Sequence, residues 1–482
     1  FEILKHQSQG HLQHALPVSV LIMKATLCAI AFASSANVAV ASDTGLLVKI
    51  ESGFVQGLEL HGMRTFRGIP YAAPPTGDLR WRPPQKHEHW NTTLKARDFG
   101  PACYQSAGAW NSMNLTRMSE DCLMLNVFAP RVDLAKHQHT SLPVLVWFHA
   151  GEFVYGTAND KESAFPFFAN NSVVVVTVQN RIGPFGFLAL PGLRSSGNLG
   201  MLDQRFALEW VQANIRAFGG DPSRVTIKGE SSGATSVAWH LTSRQSWPLF
   251  QRAILQSPGM DQDKNRSAAE TNANFVLAVL RTCGVPSCVG PSGAYVRVAH
   301  QGLVFKSMDV IKISINLTET QARKWCDLQK TCSGFDWDRS NGQWTFVRNF
   351  TGTWAFWQQS PSLVAFMKGG PEDPSVQLAC LMNASLEQLV NAPMYLPFGD
   401  TNIKDGWGPV VDGVSASVSL IDRIRHGESA PNVDILLGSN LDEGTFFDQD
   451  PTTPIANLPC EADHDAFEMT LRRQYGLNTS AA

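Results

Sequence analysis

Arg224-Val225-Thr226-Ile227-Lys228-Gly229-Glu230-Ser231-Ser232-Gly233 is the stretch from which the rest of the chain can be read. Arg224 to Lys228 is rich in β-branched residues, the composition of a strand. Ser231 to Leu241 then reads as a helix. The join between them matches Gly-x-Ser-x-Gly. A serine at such a turn has its Oγ lifted above the sheet edge, and glycines flank it because strand and helix approach closely. The helix N-terminus behind Ser231 favours negative charge developing beside it. The five-residue pattern alone is weakly specific. A strand before it and a helix after it supply the context that the chemistry needs. The competing reading makes Ser231 a plain helix N-cap.

Outward from this turn, strands and helices alternate. Pro143 to Phe148 and Val173 to Val178 are short, continuous apolar runs, as expected of strands buried on both faces. Asp203 to Phe218 reads as a helix with Ala207, Leu208, Val211, Ile215 and Phe218 on one stripe, stopped by Gly219-Gly220-Asp221-Pro222. Val433 to Leu437 is a further apolar strand. Strand, helix, strand, helix with short connections predicts a central, mostly parallel sheet flanked by helices, an α/β fold.

The chain has 482 residues, 44% of them hydrophobic and 17% charged, which is ample for a large core and excludes global disorder. A net charge of −3 offers no polyanion-binding surface, so no nucleic acid partner is expected. Met23-Lys24, the apolar stretch from Ala25 to Phe32 and Ala39-Val40-Ala41 before Ser42 read as a signal peptide. Residues 1–22 then lie upstream of the true start. No stretch elsewhere is apolar enough to span a bilayer. Of nine cysteines, Cys28 lies in the leader, leaving Cys103, Cys122, Cys283, Cys288, Cys326, Cys332, Cys380 and Cys460. Asn-x-Ser/Thr sequons at Asn91, Asn114, Asn170, Asn265, Asn316, Asn349, Asn383 and Asn478 accompany them. Together these predict a secreted glycoprotein with disulfides.

Several further segments carry a resemblance: Phe66–Ala72 (FRGIPYA), Leu79–Trp81, Ser119–Leu123 (SEDCL), Gly197–Gln204 (GNLGMLDQ) and Phe218–Pro222 (FGGDP). Arg252–Ser257 (RAILQS), Trp407–Gly413 (WGPVVDG) and Gly438–Gly444 (GSNLDEG) continue it. With the serine turn, they make the chain resemble the type-B carboxylesterase and cholinesterase family of α/β-hydrolases. The resemblance implies that Ser231 is the nucleophile and that Glu443 is the acid orienting a catalytic histidine. It implies an oxyanion hole at Gly151, Glu152 and Ser232, and a Cys103–Cys122 disulfide. A second disulfide would join Cys283 or Cys288 to Cys380. Trp110 resembles the cholinesterase tryptophan that holds a quaternary ammonium. Its offset from Cys122 does not match cleanly, and simple loop packing is the competing reading. Glu230, beside the nucleophile, is a second substrate-binding candidate.

Three departures qualify the resemblance. At His149-Ala150-Gly151-Glu152-Phe153 the family usually has three consecutive glycines, and a carboxylate at Glu152 could repel an oxyanion. No His-Gly signature follows Glu443: His464 lacks it, His426-Gly427 precedes the acid, and His240 reads as packed. The sequence is therefore expected to lack the catalytic histidine and the C-terminal part of the fold. Thirdly, Val289 to about Pro371 is an insertion holding Trp325, Trp337, Trp344, Trp354 and Trp357, with Cys326 and Cys332 closely spaced. It faintly resembles a PAN/apple-like extracellular binding module. An unspliced or lineage-specific loop is the bland alternative.

The expected organisation is an upstream extension and signal peptide (1–41), the first part of the hydrolase domain (42–288), the Cys/Trp-rich insertion (289–371) and the continued, truncated domain (372–482). No metal-ligand spacing, phosphate loop or dinucleotide fingerprint is present, so neither metal nor cofactor is expected. The partner is a small-molecule ester. The function expected is a secreted serine hydrolase cleaving carboxylic esters through an acyl-enzyme. The alternative is a catalytically impaired relative that acts in extracellular binding or adhesion.

Overall fold

The computed structural model describes residues 46–105, 117–131, 141–159, 172–190, 197–259, 263–282, 288, 295–304, 310–315, 318–328, 332–338, 343–348, 356–368, 374–391, 407–414 and 416–440. Its centre is an eight-stranded sheet. In chain order the strands are β1 (Leu58–Leu60), β2 (Met63–Pro70), β3 (Met124–Pro130), β4 (Leu142–Phe148), β5 (Val174–Val178), β6 (Gly220–Glu230) and β7 (Arg252–Gln256). An inserted sheet supplies the next five, β8 (Tyr295–Val304), β9 (Val310–Ile315), β10 (Cys332–Asp338), β11 (Gln343–Arg348) and β12 (Phe356–Lys368). The last strand is β13 (Asp434–Gly438). The central order is β13-β7-β6-β4-β5-β3-β2-β1. Neighbours from β13 to β5 run parallel. From β5 to β1 they run antiparallel.

Why β4 and β5 are continuously apolar is visible in where their side chains go. Val144, Val146 and Phe148 share a core cluster with Val174, Val176 and Val178. Leu145 and Val175 point to the other cluster, with Met63 and Phe128. Both faces are dry, so alternation between polar and apolar residues is lost, as in parallel sheets generally. The first cluster receives Ala207, Leu208, Val211, Ile215 and Phe218 from one helix and Ala234, Val237, Ala238 and Leu241 from another. These are α1 (Leu199–Asn214), continued as a 3₁₀ turn over Ile215–Phe218, and α2 (Ser232–Thr242).

The predicted stripe is therefore right and the predicted start at Asp203 is late by one turn. Asp203 looks like a helix-opening acid, yet it is wholly buried and paired with Arg181 at 2.7 Å. Leu199 opens the helix instead, and at Gly200 a β-carbon would lie 2.5 Å from the Arg181 carbonyl oxygen. Gly219, at φ +91°, ends the 3₁₀ turn.

The inserted strands form a second, wholly antiparallel sheet in the order β8-β12-β10-β11-β9. Its helix, α4 (Glu319–Leu328), follows β9, whereas α3 (Arg266–Thr282) precedes the insertion. First and last strands are neighbours, with Tyr295 opposite Lys368, so the chain enters and leaves this sheet side by side. A Cys288–Cys380 disulfide, Cα atoms 4.6 Å apart, brackets it. Trp337 lies opposite both Trp344 and Val364, and Phe335 opposite Phe346 and Phe366. Among the described residues no helix is long and apolar enough to cross a membrane.

Candidate active site

The carboxyl ends of β4, β6, β7 and β13 meet at one edge of the central sheet, where open α/β sheets place their ligands. Ser231 follows β6 directly, at φ +52° and ψ −125°, and α2 begins at the next residue. Its backbone N–H donates to the Gln256 carbonyl at 2.9 Å, and its own carbonyl accepts from Thr235 N–H at 3.0 Å. Ser231 thus occupies a left-handed backbone region that ordinary residues avoid, a mark of strain stored at functional sites. Beside it, Ser257 N–H reaches the Gly438 carbonyl at the end of β13.

Both glycines of the turn are required by backbone contact. A β-carbon at Gly229 would sit 2.2 Å from the Gly233 carbonyl group, and one at Gly233 would sit 2.4 Å from Phe148 O at the end of β4. That second contact also places the loop after β4 against the serine turn. In this loop Gly151, Glu152 and Phe153 all have positive φ, +116°, +53° and +61°. The carbonyl of Gly151 accepts from Val154 and Tyr155 N–H, and Phe153 O accepts from Gly183 N–H. Phe153 is buried edge-on against Phe187, whereas Glu152 is exposed. Burial, and after it the Glu152 charge, push the Tyr155 phenol up to about 12.

The Cys103–Cys122 disulfide is formed, with Cα atoms 5.0 Å apart. Its loop braces the strained one. Gln105 donates through Nε2 to Gly156 O at 2.8 Å and accepts from Gly156 N–H at 2.9 Å. Arg181, which follows β5, and Asp203, on α1, form a buried pair. Arg181 Nε and Nη2 donate to the two carboxylate oxygens, and Nη1 donates to the carbonyls of Arg80 and Arg82.

A family model described as the carboxylesterase family matches residues 44–288. The chain belongs to the carboxylesterase family. Within it, fumonisin B1 esterase of Sphingopyxis macrogoltabida is 43% identical over 240 residues, 47% of this chain and 43% of that protein. Para-nitrobenzyl esterase of Bacillus subtilis is 40% identical over 238 residues, 48% of each chain. Acetylcholinesterase of Electrophorus electricus is 43% identical over 233 residues, 45% of this chain and 36% of that one. The chain thus spans less than half the length of these relatives. Among solved structures, the Geobacillus stearothermophilus carboxylesterase EST55 is 26% identical with a TM-score of 0.60, covering 89% of this chain and 69% of that one. PNB esterase is 28% identical with a TM-score of 0.58, covering the same 89% and 69%. The fold is that of the α/β-hydrolase carboxylesterases.

On this carboxylesterase frame, the structure brings Ser231 and Ser232 to the elbow, with the Gly151–Glu152 loop packed alongside it. Glu230 is exposed at the end of β6, near Lys228, whose ammonium burial holds below its usual range. Glu443, Trp110 and His464 lie outside the described residues. His426 is exposed on the turn after the short helix Leu420–Arg425. His240 is packed as expected: its Nδ1 lies 2.9 Å from Ser246 Oγ and its Nε2 3.1 Å from Gln204 Oε1. Burial, then the charge of Arg205, push its imidazole down to about 3. Sequence reading passed over Gln204 and Ser236. The available signal was a row of polar residues, Ser232, Ser236 and His240, at four-residue spacing on a helix whose every residue is buried.

Proposed function

We propose that this protein is a secreted serine hydrolase that cleaves carboxylic esters of small molecules through an acyl-enzyme. The observation that carries the reading is the elbow: Ser231 held at φ +52° between β6 and α2, with glycines on either side that backbone contact allows no other residue to replace. In this reading Ser231 Oγ attacks the ester carbonyl while its proton passes to the imidazole of a histidine that this sequence is expected to lack. Glu443 orients that imidazole. The tetrahedral oxyanion accepts from the N–H groups of Gly151, Glu152 and Ser232. Collapse breaks the acyl–alkoxy bond, the alcohol departs with the proton, and water then releases the acid by the same steps in reverse order. Names such as para-nitrobenzyl esterase among the relatives support a simple aryl or benzyl ester as the first substrate to try.

Secretion is part of the same proposal. The leader pattern, eight sequons and the disulfides Cys103–Cys122 and Cys288–Cys380 suit an oxidising compartment. A second reading, recognition without catalysis, is favoured by one observation: Glu152 puts a carboxylate on the loop that should stabilise an anion. Hydrolysis of a p-nitrophenyl ester by the secreted protein, compared with Ser231→Ala, separates the two. The esterase reading expects a loss of ~10³-fold or more. An equal rate in both proteins would leave the recognition reading.

A further inference from the structure

The elbow helix is held from behind by a chain of buried side chains that the reaction itself does not use. Ser236 Oγ donates to the Ser232 carbonyl at 3.0 Å. Having spent its proton there, it accepts from Gln204 Nε2 at 3.2 Å, and the same amide nitrogen reaches Asn180 Oδ1 at 3.2 Å. Gln204 Oε1 faces His240 Nε2, so that nitrogen carries the proton, and Nδ1 accepts from Ser246 Oγ. Asn180 Nδ2 closes the chain on the Arg181 carbonyl. All five side chains are buried, His240 and Ser246 completely. Within this chain each donor faces one acceptor, so the Gln204 amide and the His240 ring have a single satisfied orientation.

The chain ties together four parts of the fold: the end of β5 at Asn180, α1 at Gln204, α2 at Ser236 and His240, and the turn after α2 at Ser246. It terminates on Ser232, the residue that follows the nucleophile and would offer its N–H to the oxyanion. We propose that Gln204 and Ser236 are positioning residues for catalysis, fixing the first turn of α2 so that the Ser232 N–H is aimed before substrate arrives. The proposal rests on the esterase reading of Ser231. Its physical basis is that a satisfied polar network in a low-dielectric interior is rigid, and that oxyanion donors act by being preorganised. His240 stays neutral at physiological pH, since its burial opposes charging, and so keeps the direction of every bond in the chain.

The test is the rate at which a fluorophosphonate probe labels Ser231 in the full-length protein, catalytic histidine included, resolved into a probe-binding constant and a maximal labelling rate. Labelling forms the Ser231 Oγ–phosphorus bond, expels fluoride and releases the serine proton. Ser236→Ala and Gln204→Met should lower the maximal rate about tenfold with the binding constant unchanged, as expected for one misaligned donor. Ser236→Thr, which keeps the hydroxyl, should restore most of it. Should Gln204→Met fail to fold, the alanine and threonine variants at Ser236 decide the matter. Folded Ser236→Ala with a wild-type labelling rate overturns the network proposal and leaves the esterase reading intact. A wild-type chain that takes no label overturns both.

Discussion

Two loops converge on Ser231, and they obey different rules. In the elbow, glycine is demanded by contact: added β-carbons at Gly229 and Gly233 would strike backbone at 2.2 and 2.4 Å, and backbone cannot step aside. In the loop after β4, Gly151 meets the same condition, 2.1 Å from the Tyr155 carbonyl oxygen. Its neighbour Glu152 does not. Position 152 has a left-handed φ and is exposed. A left-handed residue with a β-carbon costs roughly 1–2 kcal/mol, which a large domain tolerates. Glycine is thus fixed where backbone touches backbone, and chemistry is free to vary where only a dihedral is constrained.

That contrast predicts the largest effect at Gly229. Gly229→Ala should cost roughly 4 kcal/mol or more, or prevent folding, read as a collapse of the denaturation midpoint and loss of probe labelling. A folded alanine variant that still labels would break the contact argument.

Next comes the buried Arg181–Asp203 pair. Asp203→Ala strands the buried Arg181 guanidinium and should cost about 3–5 kcal/mol in urea unfolding. A loss under 1 kcal/mol would mean that water reaches Arg181.

The third effect depends on pH and belongs to the elbow side. The folded imidazole of His240 titrates near 3, far below the ordinary histidine value of 6.5. Between these values the unfolded chain binds a proton that the native chain refuses. The contribution is therefore fully present above about pH 6.5 and is lost as pH falls toward 3, at up to ~1.4 kcal/mol per pH unit. Lowering pH from 7 to 5 should remove roughly 2 kcal/mol from this source, and the wild type should lose that much more than His240→Gln. Parallel curves for the two proteins would contradict it.

The smallest effect is at the loop. Glu152→Gly should leave stability unchanged or raise it by up to ~1 kcal/mol by relieving the left-handed residue. It should also raise the maximal labelling rate by removing a carboxylate from beside the oxyanion. A slower variant would mean that Glu152 assists.

How much of this was legible in the sequence follows the same division. The Arg224–Gly233 stretch could be read because contact leaves it no alternative, and the dry strands β4 and β5 because burial on both faces erases alternation. The oxyanion positions came only through resemblance, since Glu152 breaks the pattern that marks them. The start of α1 was read one turn late, at Asp203, because the buried pairing of that acid with Arg181 is not written in its local sequence. The meeting of Gln204 with Ser236 and His240 was invisible, as helices distant in sequence declare no mutual register. Glu443 and Trp110 lie outside the described residues, so their roles remain those implied by the resemblance.

The most direct test of the central claim is to map the covalent label. Protein treated with a fluorophosphonate probe, digested and sequenced by mass spectrometry should carry one adduct, on Ser231, and Ser231→Ala should carry none. An adduct elsewhere that survives Ser231→Ala, or no adduct on a folded protein, would contradict the account.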